Sequence, residues 1–196
     1  MRTETLLTER GGVLLPIARA TIASTLGRAH QADEKAIWLQ GQGACFVTLT
    51  QDGELRGCIG TLEAHRTLLQ DVKANAHAAA FRDPRFAPLS AIELDNTEVE
   101  VSLLSIMTPV QFTSERDALT QLKPGEYGVV FEYGRHRSTF LPQVWEQLPH
   151  VNEFMAHLKY KAGLPPDFWA DEVRLSWYTV SKWKESELSE STATTK

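Results

Sequence analysis

The stretch Ala44-Cys45-Phe46-Val47-Thr48-Leu49-Thr50-Gln51-Asp52-Gly53-Glu54-Leu55-Arg56-Gly57-Cys58-Ile59-Gly60-Thr61-Leu62 decides how the chain is read. Ala44 to Thr50 reads as a strand, Asp52-Gly53 supplies a turn with positive φ, and Leu55 to Leu62 returns as a second strand. Because side chains alternate along a strand, Arg56 and Cys58 are expected on one face, with Leu55, Gly57 and Ile59 on the other. A thiol is nucleophilic only as thiolate, and a guanidinium on the same face favours that form while also holding a carboxylate or phosphate. Gly57 and Gly60 would let a ligand come close to the backbone. The competing reading is plain: free cysteines are commonly buried and inert, and strand glycines often mark only a bulge. Cys45 on the partner strand could form a redox pair with Cys58 only if their Cα atoms lie within about 7 Å. A small apolar core residue is its simpler reading.

Downstream, Thr67 to Phe81 reads as a helix with Leu68, Val72, Ala76, Ala79 and Ala80 on one stripe, ended by Asp83-Pro84. The turn Phe81-Arg82-Asp83-Pro84-Arg85-Phe86 combines arginines, a carboxylate and aromatics, which suits either anion binding or an ordered ion-pair turn. A compact domain returns this helix over its own sheet, so Asp83 and Arg85 are expected at the rim of one partly open pocket lined by Arg56 and Cys58. Glu98 to Ser105 alternates as a half-buried strand. Ser114 to Leu122 reads as a helix, Gly128 to Tyr133 and Ser138 to Leu141 as a hairpin around Gly134-Arg135, and Val151 to Ala162 as a helix closed by Gly163. Arg174 to Val180 is a last strand. Upstream, Thr8 is placed to cap a helix to about Leu26, in which Pro16 marks a kink or the true first turn.

The length of 196 residues and a 42% hydrophobic fraction fit one globular core, excluding collagenous and wholly disordered classes. A single domain over residues 8–184 is expected, with the polar stretch 185–196 as a disordered tail. The net charge of −5 disfavours nucleic acid, unless Arg82, Arg85, Arg135 and Arg137 cluster. No basic start followed by an apolar run and no membrane-length apolar segment is seen, so a cytoplasmic location is expected. Two cysteines make neither a disulfide framework nor a metal knuckle.

His65 and His77 are candidate bases for a Cys58 thiol, although their spacing places neither beside it. His150, Glu153 and His157 share a helix face if that helix begins by His150, in the pattern of a two-histidine, one-carboxylate metal site. They lack the H-E-x-x-H spacing, so a solvated face is the simpler reading and no metal is assigned. No phosphate loop, dinucleotide fingerprint or nucleophile elbow is present.

Taken in order, Phe46-Val47-Thr48-Leu49, Leu55-Arg56-Gly57-Cys58-Ile59-Gly60, Ala78-Ala79-Ala80-Phe81-Arg82-Asp83-Pro84-Arg85-Phe86, Glu100-Val101-Ser102-Leu103-Leu104, Phe140-Leu141-Pro142-Gln143-Val144 and Lys161-Ala162-Gly163-Leu164 resemble one family, from about Thr8 to Trp183. It is the AMMECR family, whose bacterial and archaeal branch is AmmeMemoRadiSam system protein A. The resemblance implies an α+β fold, an antiparallel sheet packed by helices with a smaller subdomain, and a cleft near Arg56-Gly57-Cys58-Ile59-Gly60. It supplies neither a reaction nor a cofactor. The family name records company with Memo-like proteins and radical S-adenosylmethionine enzymes, which implies them as partners of an accessory protein. The functions that follow are a small anionic ligand bound by Arg56, Gly57, Gly60, Asp83 and Arg85, with thiol catalysis at Cys58 supported by Arg56; a non-catalytic accessory role; or an RNA or nucleotide binding module.

Overall fold

Asp52 and Gly53 take φ of 51° and 83°, the two consecutive left-handed residues of a tight hairpin turn. The computed structural model describes residues 2–188, with side chains from residue 9 onward. In it, β1 (Cys45–Gln51) and β2 (Glu54–Gly60) flank that turn. β1 pairs on its other side with β3 (Glu98–Leu104), in register from Cys45 opposite Leu103 to Thr50 opposite Glu98. The sheet order is β2-β1-β3-β8, with β8 spanning Val180–Lys184. Cys45, Val47, Leu49, Val99 and Val101 form its fully buried face.

Two helices cover that face. α2 (Leu68–Phe81) starts with a capping box in which Thr67 and Gln70 each satisfy the other's backbone N–H, and buries Leu68, Val72, Ala76, Ala79 and Ala80. α1 (Arg2–Thr25) buries Leu14, Leu15, Ile17, Ala18 and Ile22. It begins before Thr8 and runs through Pro16, so Thr8 is not its cap and Pro16 not its first turn. Buried residues on both sides of Pro16 explain this: each fully buried aliphatic side chain contributes about 1.5–3 kcal/mol, which together outweigh the roughly 3 kcal/mol cost of an interior proline. Gly27, at φ 72°, closes the helix in a Schellman motif, with Arg28 N–H donating to Ala23 C=O at 2.9 Å and Gly27 N–H to Ser24 C=O at 3.1 Å.

The chain divides into two units, one made of residues 1–104 and 181–196 and the other Ser105–Val180. The second has its own sheet, ordered β4-β7-β5-β6, from β4 (Thr108–Pro109), β5 (Gly128–Tyr133), β6 (His136–Phe140) and β7 (Arg174–Tyr178). Its helices are α3 (Glu115–Thr120), capped by Ser114, and α4 (Val151–Lys161). Phe131, Phe154, Met155 and Leu158 fill the core, where Trp145 stacks on Phe154 with ring centroids 3.6 Å apart. The architecture is the expected α+β, with antiparallel sheet packed by helices, and the second unit carries a sheet of its own.

The expected last strand, Arg174 to Val180, is two strands: β7 ends at Tyr178 in the second sheet and β8 begins at Val180 in the first. The chain beyond 184 departs from the expected tail as well. Residues 185–188 are helical, Glu185 pairs with Arg19 and accepts the Val99 N–H at 2.9 Å, and Ser186 bonds Glu98. The rest of that expectation, residues 189–196, lies outside the described residues. Among the described residues no helix is long and apolar enough to cross a membrane.

Candidate functional site

β2 carries one more residue than its partner. Thr50 lies opposite Leu55, but Leu49 lies opposite Gly57, so Arg56 is the residue inserted at a β-bulge. The bulge corrects the alternation read from the sequence. Directly opposed residues share a face, so Leu55 (opposite Thr50) and Cys58 (opposite Thr48) stand together on the face away from the helices, while Gly57 faces α2. Leu55 is accordingly exposed. Leu55 therefore joins the face of Cys58 instead of that of Gly57 and Ile59.

The turn after α2 holds the Cys58 backbone. Asp83 is buried and accepts the Cys58 N–H at 2.9 Å; Arg85 Nη2 donates to the Cys58 carbonyl at 3.2 Å. Asp83 and Arg85 are joined by two further side-chain bonds of 2.9 and 2.7 Å. β2 is an edge strand, and this carboxylate–guanidinium pair supplies the acceptor and donor that a neighbouring strand would have offered Cys58. The Arg85 guanidinium, with the Cys58 N–H, holds the Asp83 carboxyl well below the usual carboxylate range. The Phe86 ring then lies 5.4 Å from the Arg85 guanidinium and 5.9 Å from that of Arg56.

Arg56 is held from the other side by Glu93, whose Oε1 accepts from Nε at 3.0 Å while Oε2 accepts the Ser90 N–H and hydroxyl at 2.8 and 2.7 Å. Arg56 and then Ser90 lower the Glu93 carboxyl to about 2. The Arg56 side chain is 13% exposed, and its Nη1 is buried with no hydrogen-bond partner among the described residues. Cys58 is half-buried, and Thr48 Oγ1 lies 3.3 Å from its sulfur in donor geometry.

Gly57 and Gly60 are filled from within the fold. A Cβ at Gly57 would run into the Ala79 carbonyl oxygen of α2, and one at Gly60 would meet the Phe46 ring. The room expected there for a ligand is thus occupied by the protein. Gly57→Ala is expected to destabilise the first unit by about 1–3 kcal/mol, because a backbone carbonyl must move to admit the methyl group. Urea denaturation measures it, and an unchanged midpoint would show that α2 is not seated on this glycine.

The other candidates separate from the site. Cys45 is buried in the core, three positions along β1 from the residue opposite Cys58, which at about 3.4 Å per residue puts it roughly 10 Å away and on the other face. The two do not form a redox pair; both are free. Burial, and then the nearby Asp71, push the Cys45 thiol up. His65 contacts the Glu63 carbonyl, and His77 lies against Phe81 with ring centroids 5.1 Å apart. His150, Glu153 and His157 are exposed, and among the described residues no group of three His, Cys, Asp or Glu side chains is placed to hold a metal.

A polar cluster beside the hairpin escaped the sequence reading. Asp71, fully buried on α2, accepts from Cys45 N–H at 2.8 Å, Thr61 Oγ1 at 2.8 Å, Arg66 Nε at 2.8 Å and Asn75 Nδ2 at 3.0 Å. Asn75 also donates to the Cys45 carbonyl at 3.0 Å. Its signal was two polar residues at helical spacing four, next to the apolar stripe of the same helix.

A family model described as AMMECR1 matches residues 15–183. The chain belongs to the AMMECR1 family. A protein of Methanocaldococcus jannaschii, MJ0810, is 36% identical over 188 residues, covering 91% of this chain and 92% of that protein. A Thermotoga maritima protein is 41% identical, covering 81% and 88%. The crystal structure of the uncharacterized protein PH0010 from Pyrococcus horikoshii matches at 30% identity with a TM-score of 0.73, covering 90% and 92% of the two chains. The segment Leu55 to Gly60 and the turn Asp83 to Phe86 both lie inside the AMMECR1 match.

Proposed function

We propose that this AMMECR1 chain binds a small ligand bearing an anionic oxygen at Arg56, beside Cys58. One observation carries the reading: a buried guanidinium nitrogen, Arg56 Nη1, without an acceptor among the described residues. A buried unsatisfied donor costs about 1–3 kcal/mol, and more when charged, so folded proteins rarely leave one without a use. An incoming carboxylate or phosphate oxygen would supply the missing acceptor, while Glu93 fixes the opposite side of the guanidinium. Asp83 and Arg85 act as positioning residues in this reading, since their polar atoms already hold the Cys58 backbone and each other.

Thiol chemistry at Cys58 is the finer part of the proposal. Cys58 is half-buried and Thr48 can donate to its sulfur, whereas Cys45 is buried in the core. Among the described residues no histidine is hydrogen-bonded to the Cys58 sulfur.

The test is iodoacetamide labelling with and without phosphate and small carboxylates at millimolar concentration, combined with titration calorimetry. Cys58 should label and Cys45 should not. One of the anions should slow Cys58 labelling, and Arg56→Gln should weaken its binding about tenfold or more, a loss of about 1.4 kcal/mol or more. An intact, folded protein that binds none of these anions, or binds them equally without Arg56, sinks the proposal and leaves the accessory role as the better account.

A further inference from the structure

The second unit holds a cavity of about 550 Å³ that the Arg56 reading does not use. Its floor is apolar, from Leu119 on α3 and Met155 on α4, and its rim carries the exposed Arg116, Asn152 and Asp167. Lys159 also lines it, although only 4% of its side chain is exposed. Lysine is seldom buried so fully, because its long stem usually lets the ammonium reach water. Here the ammonium is kept inside by Glu115 Oε1 at 2.7 Å and by the Trp169 ring at 5.8 Å.

Size and anatomy match a small-molecule site: pockets of about 300–1,000 Å³ with an apolar body and a few polar groups are typical. The charges narrow the choice. Arg116 and Lys159 are positive and Glu115 and Asp167 negative, so the lining balances two charges of each sign around an apolar floor. A plain anion would meet two carboxylates, and a plain amine would meet two cations; like-charge encounters of this kind oppose binding. A molecule carrying both charges on an apolar body meets neither penalty.

We propose that this cavity binds a small zwitterion with an apolar side chain, of the α-amino acid class. Its carboxylate is taken by Arg116 and Lys159, its ammonium by Asp167, and its side chain rests on Leu119 and Met155. The Lys159–Glu115 pair presets the charge inside the cavity, so the ammonium need not be reoriented when the carboxylate arrives.

Titration of the full chain with L-leucine, followed by backbone amide NMR, tests this against two analogues that each keep one charge, isocaproate and isoamylamine. Leucine is expected to bind at millimolar concentration or better, shifting α3 and α4 amides, with each analogue about tenfold weaker. Asp167→Asn should weaken leucine but not isocaproate, and Arg116→Gln should weaken leucine and isocaproate but not isoamylamine. Both side chains are exposed, so the variants keep the fold. Leu119→Trp should block all three ligands by filling the floor. No binding of leucine to the wild type, equal binding of the one-charge analogues, or indifference to both rim variants would overturn the assignment.

Discussion

Replacing Asp71 by alanine is expected to destabilise the first unit by about 3–5 kcal/mol, as when one member of a buried ion pair is removed. Four donors lose this acceptor at once: the Cys45 N–H at the start of β1, the Thr61 hydroxyl beyond β2, the Arg66 guanidinium and the Asn75 amide, of which the Asn75 amide keeps the Cys45 carbonyl. The carboxylate is fully buried and Arg66 only partly so, which means that water can rescue the arginine but not the Cys45 N–H. Asp71→Asn should cost less, since an amide oxygen still accepts while the charge facing Arg66 is lost. Urea midpoints for the two variants check this ordering, and a loss below about 1 kcal/mol for the alanine variant would mean that the cluster holds nothing together. The same variant should lower the Cys45 thiol from its raised value, because the neighbouring negative charge is gone, although burial remains the larger cause.

What the sequence disclosed follows from which forces act locally. The Asp52-Gly53 turn was legible because two consecutive positive φ angles restrict the residue types severely. The bulge at Arg56 was not, since an inserted residue has no composition of its own; it shows only in the register against β1. Gly57 and Gly60 stood out as glycines, but the sequence could not say whether a ligand or the Ala79 carbonyl and the Phe46 ring required them. The compactness argument expected Asp83 and Arg85 at the rim of a pocket with Arg56 and Cys58, and the structure seats both on the Cys58 backbone. Their partner, the backbone of an edge strand, depends on sheet order, which no local pattern encodes. Glu93 was missed for a related reason, being 37 residues from Arg56 in a short 3₁₀ turn without a motif. The break at Thr179 was invisible because Arg174 to Lys184 has no glycine or proline to punctuate it, and strands of either sheet can have that composition.

Asp83→Ala should cost about 3 kcal/mol, and its pH dependence separates the positioning role from any contact with ligand. The alanine variant leaves the Cys58 N–H on an edge strand without its acceptor and the Arg85 guanidinium without its carboxylate. Asp83→Asn keeps an oxygen for the N–H and loses only the charge. In the wild type the folded carboxyl lies well below its ordinary value of about 3.9, so the stability it contributes is complete above about pH 4 and is lost as the pH falls through the folded value. Protonation then removes the bond to Arg85. Glu93, lowered to about 2, titrates over an overlapping acid range, so the wild-type profile alone is ambiguous. The difference between wild type and Asp83→Asn isolates the residue: it should be largest at neutral pH and shrink towards zero in acid. If Asp83→Asn instead matches the wild type at neutral pH and the gap opens only on acidification, the sign is wrong and Asp83 is not held ionised by Arg85. If stability follows the expected course while the anion affinity at Arg56 stays unchanged, Asp83 serves the strand rather than the ligand. A parallel loss of affinity would show that the Cys58 strand must be pinned for Arg56 to bind.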